Sequence, residues 1–402
     1  IVEDFRRLSR ITILGVVVAF VLGAVAVVSF ASFAPIPEQL TSLILLLGLA
    51  AVFTASSVIL SGYLRATRDF KALIVKDQFI VPIGTLLASS VALSWFGPHA
   101  SVYATFYLLT VATAFAYGLW RWRARAAESC FDDLVVERGF LIESAPTAVT
   151  LVLENAVPFG IIAVVAYTLG TVDVGIFSSL QRFGQLAIFA SLALGPIVSG
   201  LLSDLLRNAA SHAATLFRIA TVVSISWALG ITCACVILRD EISQLIALDA
   251  AIPLIVLLPL VLGFALDGAF GHVKLMLIAK HDGTANAKMI AAAAFVAIAG
   301  AYVGTSLAGL AGASVALLAA YVVLTVLRII RMQQTVGVYP LSAVDFSKLA
   351  LAGWPLIGLS IASEFTEISL VVRLVILTIA SSYWAWTIFR AYSAELAELR
   401  SA

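Results

Sequence analysis

The segment Thr41–Tyr63 reads TSLILLLGLAAVFTASSVILSGY and contains no charged side chain over its 23 residues. A helix of this length, which rises 1.5 Å per residue, covers the hydrocarbon core of a bilayer, about 30 Å thick. Basic residues follow directly, at Arg65 and Arg68. A long apolar segment that ends in arginines is typical of a membrane-spanning helix whose end lies in the cytoplasm.

The whole chain has a similar composition. Of its 402 residues, 62% are apolar or aromatic and 12% are charged, whereas about 25% of the residues of a soluble domain are charged. A soluble protein of this size cannot bury so much apolar surface, which excludes a cytosolic enzyme, a secreted disulfide scaffold and a disordered chain. The formal net charge of +1 gives no general attraction to nucleic acid.

Windows of about 19 residues predict twelve membrane spans. Because none alternates between polar and apolar residues as a membrane β-barrel would, the predicted fold class is an all-α polytopic membrane protein. The spans are 11–34, 41–63, 78–96, 101–120, 146–169, 175–203, 216–238, 250–278, 288–304, 308–327, 346–363 and 368–389.

The basic residues predict the orientation of these spans. Of the 24 Lys and Arg residues, 21 lie in or beside the loops on one side, and the loops on the other side hold only Arg239. The positive-inside rule therefore places both termini in the cytoplasm. The outer loops are short, and the longest is 239–249, so we expect no extracytoplasmic catalytic domain.

The mixed-charge connection 121–145 predicts the boundary between two lobes. We expect an N-terminal lobe of four spans over 1–120, a C-terminal lobe of six spans over 146–330, and an additional helix pair over 331–402. The segments 64–72 and 277–285, which lie 213 residues apart, share Leu, Ala, Asp and Ala and each follows a span that runs inward. This repeat indicates a duplicated transporter fold, in which an N-terminal hairpin equivalent to 146–203 is missing before residue 11.

Three further segments resemble a known family. Val174–Arg182, VGIFSSLQR, is similar to the start of a span in the polysaccharide flippases of the multidrug/oligosaccharidyl-lipid/polysaccharide exporter superfamily. ALGPIVS at Ala193–Ser199 resembles the end of that span, and GLAGAS at Gly309–Ser314 resembles a later motif of small residues. The resemblance implies twelve or fourteen helices in two lobes around a central cavity, and the spans found here match the third to the fourteenth.

The same resemblance implies a function. Such a protein moves an undecaprenyl-pyrophosphate-linked oligosaccharide from the cytoplasmic to the periplasmic leaflet by alternating access, for polysaccharide biosynthesis. Its expected partners are the lipid-linked oligosaccharide, membrane lipids, and the glycan polymerase and glycosyltransferases of the same pathway. The alternatives are a cation-coupled multidrug exporter of the same superfamily and a membrane glycan polymerase or acyltransferase.

No enzyme motif stands in the sequence. It lacks the G-x-x-x-x-G-K-S/T, H-E-x-x-H and G-x-S-x-G patterns, and its four His residues are scattered. We therefore expect a transporter without enzymatic activity, cofactor or metal site.

Charged residues inside spans are costly and are candidates for function. Glu154 lies near the middle of its span, where it predicts a cavity carboxylate beside Asn155 or a protonated side chain hydrogen-bonded between helices. The resemblance places an Asp-Arg pair where Glu154 and Asn155 stand. Asp267 is a second candidate, either in the cavity or paired with Lys274 on the same helix face. His272 could join this polar group or pack in the core.

Arg182 is the candidate for binding the pyrophosphate linker. A guanidinium can bind phosphate oxygens bidentately, and Gln181 and Gln185 supply further donors in the same stretch. The alternative is that Arg182 extends to the outer membrane interface, where only its charge matters.

The predicted topology can be tested by labelling. Cysteines introduced at Arg68 and at Lys280, in a chain whose three native cysteines are replaced by alanine, should react with an impermeant maleimide only from the cytoplasm. This follows because both positions lie in loops on the basic side. Labelling of either position in intact cells would show that the span count is wrong by an odd number.

Overall fold

A computed structural model describes residues 12–126, 138–363 and 369–401, apart from 22, 26, 28, 30–37, 68, 98, 209, 247, 249, 250, 281 and 338. The described residues are almost entirely helical and contain no strand. Residues 127–137 of the predicted linker, with Cys130 among them, and Arg68 lie outside them. The chain divides into two compact units, Ile1–Arg138 and Gly139–Ala402.

The first unit is built on the pairing of α2 with α5. Leu60 and Leu64 of α2 are buried with Leu73 and with Trp122 of α5. The helices of this unit are α1 (Thr12–Val25), α2 (Glu38–Ala66), α3 (Phe70–Ile74), α4 (Val81–Phe96) and α5 (Ala100–Ala126), with a π-helix (Val75–Ile80) between α3 and α4.

The second unit surrounds α11, which packs against α7, α8, α9 and α12. Because α11 is apolar on all sides apart from a few positions, it can be buried all round. The helices of this unit are α6 (Arg138–Thr168), α7 (Thr171–Gln185), α8 (Phe189–Asn208), α9 (Ala210–Ile237), α10 (Arg239–Leu245), α11 (Leu254–Ala279), α12 (Gly283–Val336), α13 (Ala343–Ser363) and α14 (Leu370–Ser401).

Helix α12 is a hairpin of two arms. The backbone leaves the helical conformation at Ala308 and Gly309, where Gly309 has a φ of 57°. The backbones of Gly304 and Gly312 then touch on opposite arms, where any side chain would collide. The arms correspond to the two predicted spans 288–304 and 308–327.

The predicted span 175–203 is broken in the structure. Helix α7 ends at Gln185, and a 3-10 turn over Leu186–Ile188 leads into α8. The indole nitrogen of Trp227 donates to the carbonyl oxygen of Leu186 at 2.7 Å and so satisfies an acceptor at the break. Gly268 of α11 faces this turn, because a Cβ atom at Gly268 would lie 2.6 Å from the Ala187 carbonyl oxygen.

In the described residues helix covers each predicted span apart from span ends at 169, 238, 251–253 and 369, and the 3-10 turn interrupts 175–203. Eight described helices are long and apolar enough to cross a membrane, with the two-armed α12 among them, and Thr12–Val25 and Leu153–Thr168 are shorter apolar helices. Two loops differ from expectation: 239–249 contains α10, and helix extends into both ends of 121–145. Cys233 and Cys235 are free and buried.

Helices α13 and α14 of the predicted additional pair pack on α9 of the second unit. Leu349, Trp384 and Tyr392 are buried there against α9. Arg373 of α14 also joins the pair to α9 and α10: it donates to the Ile237 carbonyl oxygen at 3.2 Å and lies 3.5 Å from the Asp240 carboxylate.

The repeated segments 64–72 and 277–285 fold into the same turn. The backbone N–H of Asp69 donates to the Leu64 carbonyl oxygen at 2.9 Å, and the N–H of Asp282 donates to that of Leu277 at the same distance. The weak sequence repeat therefore corresponds to a structural one.

The two turns also use their aspartates alike. The carboxylate of Asp69 pairs with Arg121 near the end of α5. The carboxylate of Asp282 pairs with Arg331 near the end of α12, at 2.6 Å from Nε. Each turn is thus tied to the last helix arm of its own repeat.

The α12 hairpin predicts a steric effect. Gly312→Ala should lower the thermal unfolding midpoint of the detergent-purified protein, because its methyl group meets the backbone of Gly304 and overpacking costs about 1–3 kcal/mol. Gly175→Ala is the matched control, since nothing lies within 4 Å of a Cβ atom there. Equal midpoints for the two variants would contradict the hairpin contact.

Candidate functional site

Four charged side chains of the second unit meet between α6, α11 and α12; we call them the charged cluster. They are Glu154, Asp267, Lys274 and Arg328. The Nζ atom of Lys274 donates to both carboxylate oxygens of Glu154, at 3.0 and 3.1 Å. Arg328 donates from Nη2 to Glu154 Oε1 at 3.1 Å and from Nη1 to Asp267 Oδ1 at 3.5 Å.

Arg328 is the centre of this cluster. Its Nε atom also donates to Asn286 Oδ1, at 3.1 Å. One guanidinium therefore binds oxygens from α6, from α11 and from the first arm of α12, while it is itself carried by the second arm. A planar group with five N–H donors suits such a three-way contact, which a lysine cannot reproduce.

The helical period explains why these side chains can meet. Asp267 and Lys274 are seven residues apart, which is two turns, so both lie on one face of α11. Tyr321 and Arg328 have the same spacing on α12, and Tyr321 is buried with its ring 5.7 Å from that of Phe264. Helices α11 and α12 therefore each carry two polar side chains on one face, two turns apart.

The cluster is formally neutral and open on one side. Lys274, Asp267 and Glu154 are 29%, 25% and 22% exposed, whereas Arg328 is 2% exposed. Removing one member of a buried ion group leaves its partner uncompensated, which is far more costly than the net value of the pair. We therefore expect Arg328 to be structurally indispensable and the three exposed members to be able to contact a ligand.

The structure brings together two of the predicted site residues, Glu154 and Asp267. The alternative in which Lys274 pairs with Asp267 is wrong. Lys274 instead contacts Glu154, and Asp267 is bound by Arg328. The physical reason is that neighbouring helices offer closer partners than a residue two turns away. Asn155, next to Glu154, is exposed.

The predicted group on α7 divides between two environments. Gln181 is buried and donates to the Pro158 carbonyl oxygen of α6 at 3.4 Å, which joins α7 to α6. Gln185 is half-buried and Arg182 is exposed. His272 is fully buried, with Nε2 3.0 Å from the Ser224 hydroxyl, in a packing position on α11.

Sequence reasoning missed Arg328 and Asn286 as site residues. The span 308–327 was ended at the first charge, so Arg328 counted as a loop residue, but α12 continues to Val336. The seven-residue spacing from Tyr321 was the signal that could have identified Arg328.

The first unit contains a separate buried lysine. Lys76 is 1% exposed on the π-helix and donates to Ser57 Oγ at 2.8 Å and to Asp77 Oδ1 at 2.6 Å. The Ser61 hydroxyl donates to the other oxygen of Asp77 at 2.9 Å. As with Arg328, the sequence analysis placed Lys76 in a loop, just outside a predicted span.

Comparison with known proteins identifies the fold. No protein-family model and no curated protein sequence matches the chain. Among solved structures, lipid II flippase MurJ in an inward closed conformation has a TM-score of 0.60 at 14% identity, over 97% of this chain and 85% of that chain. A MATE transporter in the straight conformation has a TM-score of 0.62 at 13% identity, over 84% and 83%.

A third similar structure is a transporter from Pyrococcus furiosus, described as having a binding pocket of reverse polarity. It belongs to the multidrug/oligosaccharidyl-lipid/polysaccharide exporter superfamily, abbreviated MOP. Its TM-score is 0.59 at 14% identity, over 84% of this chain and 83% of that chain. The chain therefore has the fold of the MOP-superfamily transporters, and the predicted all-α class is confirmed.

The charged cluster predicts unequal roles for two arginines on one helix. Arg328→Ala should destabilise the protein by about 3–5 kcal/mol, because Asp267 and Asn286 lose the donor that binds them and Glu154 loses one of its two cations. Arg331→Ala, three residues further on, should have a much smaller effect, since Arg331 is 40% exposed. Thermal unfolding of both purified variants measures this, and similar losses would contradict the central role of Arg328.

Proposed function

We propose that the protein is a flippase that moves a polyprenyl-pyrophosphate-linked oligosaccharide across the inner membrane by alternating access, for polysaccharide biosynthesis. The charged cluster carries this proposal, because it places an ammonium and a guanidinium side by side within apolar helices. The shared fold supports it, since one structure with that fold is a lipid II flippase.

The substrate chemistry fits these two cations. A pyrophosphate linker carries concentrated negative charge, and phosphate oxygens accept charge-assisted hydrogen bonds from Arg and Lys. Such contacts are stronger in a site of reduced dielectric than at a surface. The polyprenyl tail can remain in the lipid while the hydrated glycan follows a polar path.

Arg182 belongs to this proposal as a second contact for the linker. Its exposure on α7 leaves the guanidinium accessible, and half-buried Gln185 lies one turn further on. Buried Gln181 has a packing contact to α6, so we assign it the role of positioning α7. Asn155 offers an amide for sugar hydroxyls next to the charged cluster.

A cation-coupled multidrug exporter is the second candidate. MATE transporters share the fold to the same degree, with a TM-score of 0.62. Glu154 and Asp267 are partly exposed, and carboxylates of this kind attract cationic drugs and coupling ions. The two functions differ in the sign of the charge that the cluster must attract.

A reconstitution experiment separates them. Proteoliposomes with the wild-type chain should transfer a fluorescent polyprenyl-pyrophosphate oligosaccharide between leaflets, measured by quenching with an impermeant reductant. Lys274→Gln should abolish most of the transfer, because the linker loses one of two cations. Lys280→Gln is the matched control, since Lys280 is an exposed lysine beyond the end of α11.

The contrary result is equally clear. No transfer by the wild-type chain, together with ion-gradient-dependent resistance to cationic drugs in an efflux-deficient host, would replace the flippase proposal with the exporter. Equal transfer by the Lys274→Gln and Lys280→Gln variants would remove the charged cluster from the substrate path.

A further inference from the structure

The carboxylate of Glu154 occupies the place between the two cations of the charged cluster. Its Oε1 atom accepts from both Lys274 and Arg328, and Oε2 accepts a second bond from Lys274. These are the donors that a phosphate group would use at the same place. In the structure, the protein's own anion fills this position.

The exposure of the cluster shows which contact can be exchanged. Glu154 and Lys274 are partly exposed, whereas Arg328 is almost fully buried and also donates to Asn286. Every ion pair that the structure records for Lys274 is with Glu154. Departure of Glu154 would therefore free the whole ammonium and one Nη group of Arg328, without breaking the contact of Arg328 with Asp267.

We propose that Glu154 is a displaceable counter-ion: a diphosphate group replaces its carboxylate on Lys274 and Arg328, and the released carboxylate takes up one proton from water. The ligand class rests on the proposed function. The exchange is reversible, so that the proton returns to water when the diphosphate leaves and Glu154 pairs again with both cations.

The charges that face Glu154 explain why a proton is needed. Lys274 from α11 and Arg328 from α12 contact it directly. Asp267 of α11 is bound to the same guanidinium, and Tyr321 lies two turns before Arg328 on α12. With both carboxylates ionised these groups sum to zero, so a diphosphate would enter a site with no net attraction. Protonation of Glu154 leaves one net positive charge and removes the nearest like-charged neighbour of the incoming anion.

The exchange would link transport to protons. A diphosphate that binds with proton uptake on one side of the membrane and leaves with proton release on the other carries a proton in its own direction. A pH difference across the membrane would then bias the direction of transfer. Because the proton travels with the diphosphate, transfer out of the cytoplasm is favoured when the cytoplasm is the more acidic side and is opposed by an inward proton gradient.

Calorimetric titration of the detergent-purified full chain tests the exchange. The probes are inorganic pyrophosphate and farnesyl diphosphate without magnesium, so that binding of the free anion and of the prenyl-linked anion is distinguished. Glu154→Gln should bind both probes at least about tenfold more tightly than the wild type at pH 8, since no ionised carboxylate competes. The wild-type affinity should fall by an additional factor of about ten per pH unit relative to Glu154→Gln.

Asp282→Asn is the control. It also releases an arginine, Arg331, from a carboxylate, but at an exposed position, and it should leave the affinity for both probes as in the wild type. The titration of the probes themselves is common to all three proteins and cancels in the comparison.

Three results would overturn the proposal: equal affinity and pH dependence for the wild type and Glu154→Gln, an equal gain in Asp282→Asn, or no binding of either probe. If Glu154→Gln fails to fold, the wild type alone decides, because titration in two buffers of different ionisation enthalpy counts the protons taken up. About one more proton than the probe itself accounts for supports the exchange, and none overturns it. If the protein transfers the substrate between leaflets but shows no exchange at Glu154, the inference is wrong and the proposed function stands. If it shows the exchange but no transfer, the flippase proposal is wrong.

Discussion

A guanidinium inside an apolar helix bundle constrains the rest of the second unit. Placing one charge in a membrane span costs about 2.5–3.5 kcal/mol on insertion scales, so Arg328 requires oxygens close by. Glu154, Asp267 and Asn286 supply them from three helical segments. The relative positions of α6, α11 and the two arms of α12 are therefore coupled through one side chain. A change at Glu154 alters one contact of Arg328 and so affects the position of all these segments.

This arrangement depends on close backbone approach. Gly304 and Gly312 let the arms of α12 touch, which aligns Arg328 on one arm with Asn286 on the other. On the opposite side of α11, Gly268 admits the 3-10 turn between α7 and α8. The small residues thus allow the close helix contacts that bring the charged side chains together. Small residues are common at helix contacts in membranes, because lipid removes the hydrophobic driving force for helix association.

The sequence predicted the spans well, since hydropathy alone decides them, and it predicted Glu154 and Asp267, since each interrupts an apolar run. It failed for Arg328 and Lys76 for one physical reason: a window ends a span at a charge, whereas the helix continues through it. The break at 186–188 was also not predictable locally. It depends on Trp227 and Gly268, which come from other helices.

Comparison of the two repeats shows which features both units share and which differ between them. The Asp69–Arg121 and Asp282–Arg331 pairs are alike, although the two aspartates are 213 residues apart and the two arginines 210. Counted from these arginines, Gly118 stands three residues before Arg121, as Arg328 stands three before Arg331. In the first unit the side chain of Lys76 lies against Gly118.

Each unit thus holds a buried cation close to this helix position, which is Lys76 beside Gly118 in the first unit and Arg328 itself in the second. The counter-ions differ in kind. Asp77 is adjacent to Lys76 in the chain, so no helix movement can separate them. Glu154 reaches Arg328 from a different helix. Of these two pairs, the one between Glu154 and Arg328 joins separate helices, and exchange of an internal anion for another requires such an arrangement.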